Sequence, residues 1–252
     1  MKTNIFLCFL ALYLSCGCQA QDSLENLYFD ASNTQTVLVL TVTDGYVHEE
    51  AIPAGKELLI ALGKENGFNV LHTSQSTALE SADFSSLDAL VFLCTTLDIF
   101  NSQQEALVKN YIQNGGGYVG IHAAADTEYD WPWYGQLVGA YFESHPVGTP
   151  RATLTTLETD TQFTRHLPAS WSIDDEWYNY TFQNEAIIPL LNLEESSYEG
   201  GNNGDRHPIT WYHDFDGGRS FYTGLGHKKS TYEDPRFIQL LQKGISYAMG
   251  QP

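Results

Sequence analysis

The chain has 252 residues, with 12 lysines and arginines against 31 aspartates and glutamates, a formal net charge of −19. Such an excess of negative charge repels phosphates and excludes nucleic acid and anionic membrane surfaces as partners. A hydrophobic content of 42% supports a packed core and excludes general disorder.

At the N-terminus, Met1-Lys2-Thr3 is a short basic start and residues 5–14 are a nearly unbroken apolar run. The run is too short for a stable transmembrane span, so residues 1–20 read as a signal peptide. Two endings fit. Cys18-Gln19-Ala20 offers small residues for ordinary cleavage. Leu14-Ser15-Cys16-Gly17-Cys18 resembles a lipoprotein box, with lipid on Cys18 or Cys16. Either way the protein is expected to be exported, and periplasmic or lipid-anchored. Residues 21–35 are polar and unpatterned and read as a tether, leaving 36–252 as a single domain. Beyond Cys18 the only cysteine is Cys94, which gives the domain no internal disulfide.

Residues 36–43 (TVLVLTVT) form a continuous apolar, β-branched run, the pattern of a buried parallel strand. A helix is predicted over 49–66, with Leu58, Leu59 and Leu62 on one face. Strands are predicted over 68–72 and 87–94, a helix over 102–113 with Ser102 as its N-cap, and a strand over 117–122. This alternation implies a doubly wound, mainly parallel sheet flanked by helices, with ligands outside the carboxyl ends of the strands. From about residue 151 the pattern turns β-rich. Residues 151–157 alternate, and 208–213 and 219–223 flank the turn sequence Asp214-Phe215-Asp216-Gly217-Gly218. A last helix is expected over 235–249.

Chemistry is expected where strands exit. Gly120-Ile121-His122-Ala123-Ala124-Ala125-Asp126 reads as strand, sharp turn, helix, and its small residues let the chain turn tightly around His122. An imidazole there suits a general base or a metal ligand, against the plainer role of a histidine satisfied by backbone. Gly224-Leu225-Gly226-His227 places a second histidine at a strand exit. Asp174-Asp175-Glu176-Trp177-Tyr178 sets carboxylates beside aromatic rings, as a sugar site requires, and Asp126 with Trp131, Trp133 and Tyr134 has the same character. The triple glycine at 115–117 precedes a strand, and no phosphate-loop pattern occurs, so no nucleotide cofactor is expected.

These motifs resemble the ThuA-like, or trehalose-utilisation, family over about residues 36–250. The resemblance rests on Thr43-Asp44-Gly45-Tyr46-Val47-His48, on Gly120-Ile121-His122 with Asp126, and on Trp131-Pro132-Trp133-Tyr134. It continues through His145-Pro146, Asp175-Glu176-Trp177-Tyr178, His207-Pro208, Gly218-Arg219 and Gly224-Leu225-Gly226-His227. It implies a fold similar to the class I glutamine amidotransferase domain, a flavodoxin-like arrangement with an added β-rich C-terminal portion. Amidotransferases carry cysteine at the elbow where this chain has His122, so glutaminase chemistry is not expected.

The resemblance points to a small disaccharide or 3-keto-glycoside as substrate. A 3-keto group acidifies the C2–H, and a base that removes that proton expels the C1 oxygen. His122 is then expected as base or ligand, His227 as its partner, Asp126 as the group orienting His122, and Glu176 as acid, base or ligand. Trp131, Trp133, Tyr134, Trp177 and Tyr178 are expected to bind the sugar. His145, His207 and Arg219, which stand in the matched motifs, join the expected substrate contacts, although Arg219 also suits plain pairing with a carboxylate. A divalent metal, zinc first, is expected on some of His48, His122, His227 and Glu176. Two rival readings are a glycoside hydrolase using Asp126 and Glu176 as its two carboxylates, and a saccharide-binding module without chemistry. Assembly into a homo-oligomer is compatible with the sequence and not specified by it.

Overall fold

Val37, Leu38, Val39 and Leu40 are all fully buried, so this strand is covered on both faces and its apolar run does not alternate. The structure is a computed structural model describing residues 24–157 and 161–251. The expected signal peptide and the lipoprotein-type cysteines lie outside the described residues.

In chain order the elements are β1 (Glu25–Tyr28), β2 (Gln35–Leu40), α1 (Ala51–Asn66), β3 (Phe68–Thr73), β4 (Ala89–Leu93), α2 (Ser102–Gln113), β5 (Gly117–Ile121) and α3 (Pro132–Val138). There follow β6 (Ala140–Ser144), β7 (Arg151–Thr156), β8 (Ser170–Asp174), β9 (Asn179–Phe182), β10 (Ile188–Glu194), β11 (Pro208–Phe215), β12 (Gly218–Thr223) and α4 (Pro235–Ala248). Ten strands make one sheet in the order β1-β3-β2-β4-β5-β12-β11-β10-β7-β8, and β6 pairs with β9 in a small second sheet. The run β3-β2-β4-β5-β12 is parallel. Every other neighbour in the large sheet is antiparallel.

Helices flank both faces. Along β12, Phe221 packs on α4, where the absence of a Cβ at Gly244 lets the ring approach. The next residue on the opposite face, Ser220, donates to the Leu137 carbonyl of α3 at 2.6 Å. α2 is closed at its start by Asn101, whose side chain accepts from Gln103 and Gln104 while Gln104 reaches back, a reciprocal capping box.

Four expectations are corrected. The sheet is mixed rather than mainly parallel, because the β-rich C-terminal portion extends it by hairpin-type antiparallel pairing, which needs no crossover helix. Part of the expected tether is a strand: β1 pairs with β3, and Glu25 reaches His72 at 2.9 Å. The cap of α2 is Asn101 and not Ser102. Finally, β6, β8, β9, β10 and α3 were not anticipated. The apolar run of β10 was its only local signal, and α3 starts inside the aromatic cluster at Pro132, a favourable first-turn residue.

Candidate metal centre

The carboxyl ends of β2, β5 and β12 lie within one edge of the sheet, and each is followed by a histidine. After β2 the chain enters a loop pinned by Thr96, whose backbone carbonyl accepts from the Asp44 N–H at 3.0 Å. The Thr96 hydroxyl accepts from the Gly45 N–H and donates to the Tyr46 carbonyl, both at 3.2 Å. This presents His48. After β5 the chain turns at His122, which has a φ of 53°. A non-glycine residue in the left-handed region costs of the order of 1 kcal/mol or more and persists only where its surroundings impose it. Here the Tyr222 hydroxyl donates to the His122 carbonyl at 2.8 Å, and the imidazole Nδ1 lies 2.9 Å from the Gly224 carbonyl. After β12, His227 is placed through its backbone N–H, which donates to the Asp175 carboxylate at 3.0 Å.

The fourth group comes from elsewhere. Glu176 stands between β8, at the far edge of the large sheet, and β9 in the small one. Its neighbour Asp175 is fully buried. The Asp175 carboxylate accepts from the backbone N–H groups of Glu176, Gly226, His227 and Lys228 at 2.8–3.1 Å and from the Thr231 hydroxyl at 2.8 Å. It thereby ties the Glu176 segment to the His227 loop.

The result is a close cluster. Ring centroids are 4.9 Å apart for His48 and His122, 5.2 Å for His48 and His227, and 5.3 Å for His122 and His227. Glu176 Oε2 lies 3.3 Å from His122 Nε2 and 3.2 Å from His227 Nδ1. One ligand atom from each of the four residues lies within 4.8 Å of every other. A tetrahedral zinc site with bonds of about 2.1 Å has edges of about 3.4 Å, which the two carboxylate contacts match.

The hydrogen bonding also fits a cation. A carbonyl only accepts, so the Gly224 carbonyl fixes the proton of His122 on Nδ1 and leaves a lone pair on Nε2. An outer hydrogen bond of this kind orients histidine ligands. His48 Nδ1, His122 Nε2 and His227 Nδ1 are buried, and apart from the Glu176 carboxylate that faces the last two they have no hydrogen-bond partner. Such groups call for an explanation. Burial, reinforced by His122 and His227, pushes the His48 imidazole down to about 3, so it stays neutral and available as a donor. For Glu176, burial opposes ionisation, but contacts with His122 and His227 outweigh it and hold the carboxyl well below the usual range. The residues present therefore fit a divalent cation. His122, His48 and Glu176 are buried, at 0%, 5% and 8% exposed, and His48 and His227 also line an open hollow of about 780 Å³.

The other expected site residues divide. Tyr178 packs its ring on His122, with centroids 4.5 Å apart. His145, at the end of β6, is part-exposed, and its Nδ1 lies 3.3 Å from Glu176 Oε1. Asp126 does not orient His122, whose Nδ1 is taken by Gly224. Asp126 instead accepts from the Tyr129 hydroxyl at 2.6 Å. Burial raises its carboxyl, and it is close enough to interact with His122, Glu176 and His145.

Several expected contacts lie elsewhere. Trp177 is fully buried and donates to the Pro150 carbonyl, and Tyr134 is fully buried and donates to Ala124. His207 is fully buried between Glu195 and the Tyr178 carbonyl, both at 2.8 Å, and supports the site from behind. Trp131 stacks on Trp133, whose indole donates to Asp216 in the β11–β12 turn, at the opposite edge of the sheet from His227. Arg219 is also at that edge, bonded to the carbonyls of Gly115 and Ala248. Asp175 was noticed in the sequence as part of an acidic run but not as the residue that joins two distant segments.

Fold and cluster together define a mixed α/β protein with a three-histidine, one-carboxylate site at the carboxyl edge of its parallel strands. The chain belongs to the ThuA family, described as trehalose utilisation, whose profile matches residues 36–248. Among solved structures, a protein described as ThuA-like from Bacteroides uniformis ATCC 8492 is 19% identical with a TM-score of 0.73, over 88% of this chain and 94% of that one. A second, from Parabacteroides merdae ATCC 43184, is also 19% identical with a TM-score of 0.73, over 87% and 91%. A β-galactosidase from Bacillus circulans sp. alkalophilus has a TM-score of 0.57 at 15% identity, over 87% of this chain and 32% of that enzyme. These structural likenesses establish the fold alone. No curated protein matches the sequence significantly.

Proposed function

We propose that the protein is a metal-dependent, carbohydrate-active enzyme that cleaves 3-keto-glycosides by acid–base elimination or hydrolysis. The observation that carries this reading is the convergence of His48, His122, His227 and Glu176 beside an open hollow, with three imidazole nitrogens lacking any other partner. Three imidazoles and one carboxylate suit zinc. When bound, the cation supplies positive charge to polarise a carbonyl oxygen.

The chain's own groups supply the rest. Asp126, with one oxygen held by Tyr129 and its carboxyl raised by burial, is the proton acceptor for the C2–H. His145 stands half-open next to Glu176, where it can hydrogen-bond a substrate hydroxyl. Tyr178 and Phe142, with ring centroids 4.3 Å apart, wall the cluster off from water on that side. Glu176 is engaged by three histidines, which disfavours the two-carboxylate reading because a free acid is then missing. Residues 1–20 support export, with lipid attachment at Cys16 or Cys18 as one form of it.

The test is cleavage of 3-keto-trehalose and 3-keto-glucosides by the purified protein, before and after chelation, with metal content measured in parallel. Loss of turnover on chelation and its return with zinc are expected. Hydrolysis of unoxidised trehalose by the chelated protein would favour the two-carboxylate route instead. Absence of turnover by the metal-loaded protein would count against the whole reading.

A further inference from the structure

A ring-binding site needs a flat apolar surface that is open to solvent, and the tryptophans do not provide it here. Trp177 and Trp211 are fully buried, Trp171 is 5% exposed, and Trp131 and Trp133 stack on one another outside the hollow. Tyr178 is 3% exposed and already packed between His122 and Phe142. At the hollow, one aromatic side chain has the opposite character. Tyr46 is 66% exposed, lines the hollow, and has its ring centroid 4.8 Å from that of His48, with the planes nearly perpendicular at 85°.

The exposure of Tyr46 is not that of a loose loop tip. Its carbonyl, and the N–H groups of Asp44 and Gly45 before it, are all held by Thr96. Val47, next in the chain, is 48% exposed and lines the same hollow. A rigid backbone thus holds a large apolar face in water directly beside a cluster imidazole. Stacking a sugar ring there removes apolar surface from water without ordering new backbone.

We infer that Tyr46 is the platform for a second ring of the substrate, so that the site selects two-ring glycosides over a simple alkyl glycoside. The reacting ring lies at the cluster and its aglycone ring on Tyr46. This inference rests on the glycoside reading above but concerns binding, not the chemical step.

The test is calorimetric titration of trehalose, phenyl glucoside and methyl glucoside into the wild type, Tyr46→Ala and Tyr46→Phe. The wild type is expected to bind the two-ring probes more tightly than methyl glucoside. Tyr46→Ala is expected to shrink that preference about tenfold, as the loss of one stacking contact implies. Tyr46→Phe keeps the ring and is expected to keep the preference. The inference is overturned if Tyr46→Ala leaves the preference unchanged, if the wild type binds all three probes alike, or if it binds none. Failure of the keto-glycoside chemistry shows differently, as Tyr46-dependent binding without cleavage of 3-keto-trehalose.

Discussion

The Asp175 carboxylate accepts the His227 backbone N–H at 3.0 Å, and through this bond a loop that follows β8 positions a histidine that follows β12. The same carboxylate holds the Glu176 N–H, so one buried side chain sets the spacing between two of the four cluster residues.

Asp175→Asn is expected to weaken both the fold and the cluster. An amide has one acceptor oxygen, whereas Asp175 uses both: Oδ1 for Glu176, His227 and Lys228, Oδ2 for Gly226 and Thr231. The amide NH₂ would face a donor. We expect a loss of about 2–3 kcal/mol in denaturant unfolding and zinc affinity lower by about 10–100-fold. A variant that is destabilised but binds zinc like the wild type would reduce Asp175 to a purely structural role.

Zinc is expected to stabilise the folded protein by mass action. At free zinc of about 100 times Kd the gain is about 2.7 kcal/mol, visible as a rise in Tm that a chelator reverses. His122→Ala removes a lone pair aimed into the cluster and is expected to abolish most of this rise. Equal zinc-induced shifts in wild type and variant would show that the ion binds elsewhere.

Glu128 predicts a pH dependence of stability. It is 2% exposed, and burial pushes its carboxyl up to about 7, against an ordinary value of 4.5. Below pH 4.5 the folded and unfolded chains both hold the proton. Between 4.5 and 7 the unfolded chain releases it first, so stability falls as pH rises, and above 7 the full penalty of about 3 kcal/mol is present. Oε1 alone accepts both the Ile99 and Phe100 N–H groups, at 2.7 and 2.8 Å, so a Gln amide oxygen can replace it. Urea midpoints for Glu128→Gln should lose this slope and match or exceed the wild type at pH 8. Persistence of the slope would refute the assignment.

Trp133→Ala is expected to leave saccharide binding within about twofold of wild type. Its indole bonds Asp216 at 2.8 Å at the far edge of the sheet, so the effect should be confined to a stability loss of about 1 kcal/mol. A tenfold rise in KM for a keto-glycoside would contradict this placement.

Local patterns carried much of this protein. The apolar runs of β2, β4 and β5 follow directly from burial on both strand faces, helix periodicity marked α1, and residues suited to helix ends marked α2 and α4. Small residues around His122 and glycines before His227 revealed two turns at strand exits, because tight backbone geometry restricts side-chain size locally. Other features depend on contacts between segments far apart in the chain. The burial of Trp177 and His207, the capture of His122 by Gly224 and the placement of Arg219 at the opposite edge come from packing that no local spacing records. The joining of the Glu176 segment to the His227 loop through Asp175 spans more than fifty residues of chain. Residue type and spacing constrain what a turn can present, but a binding centre forms from relative positions that only the folded sheet and its crossing loops define.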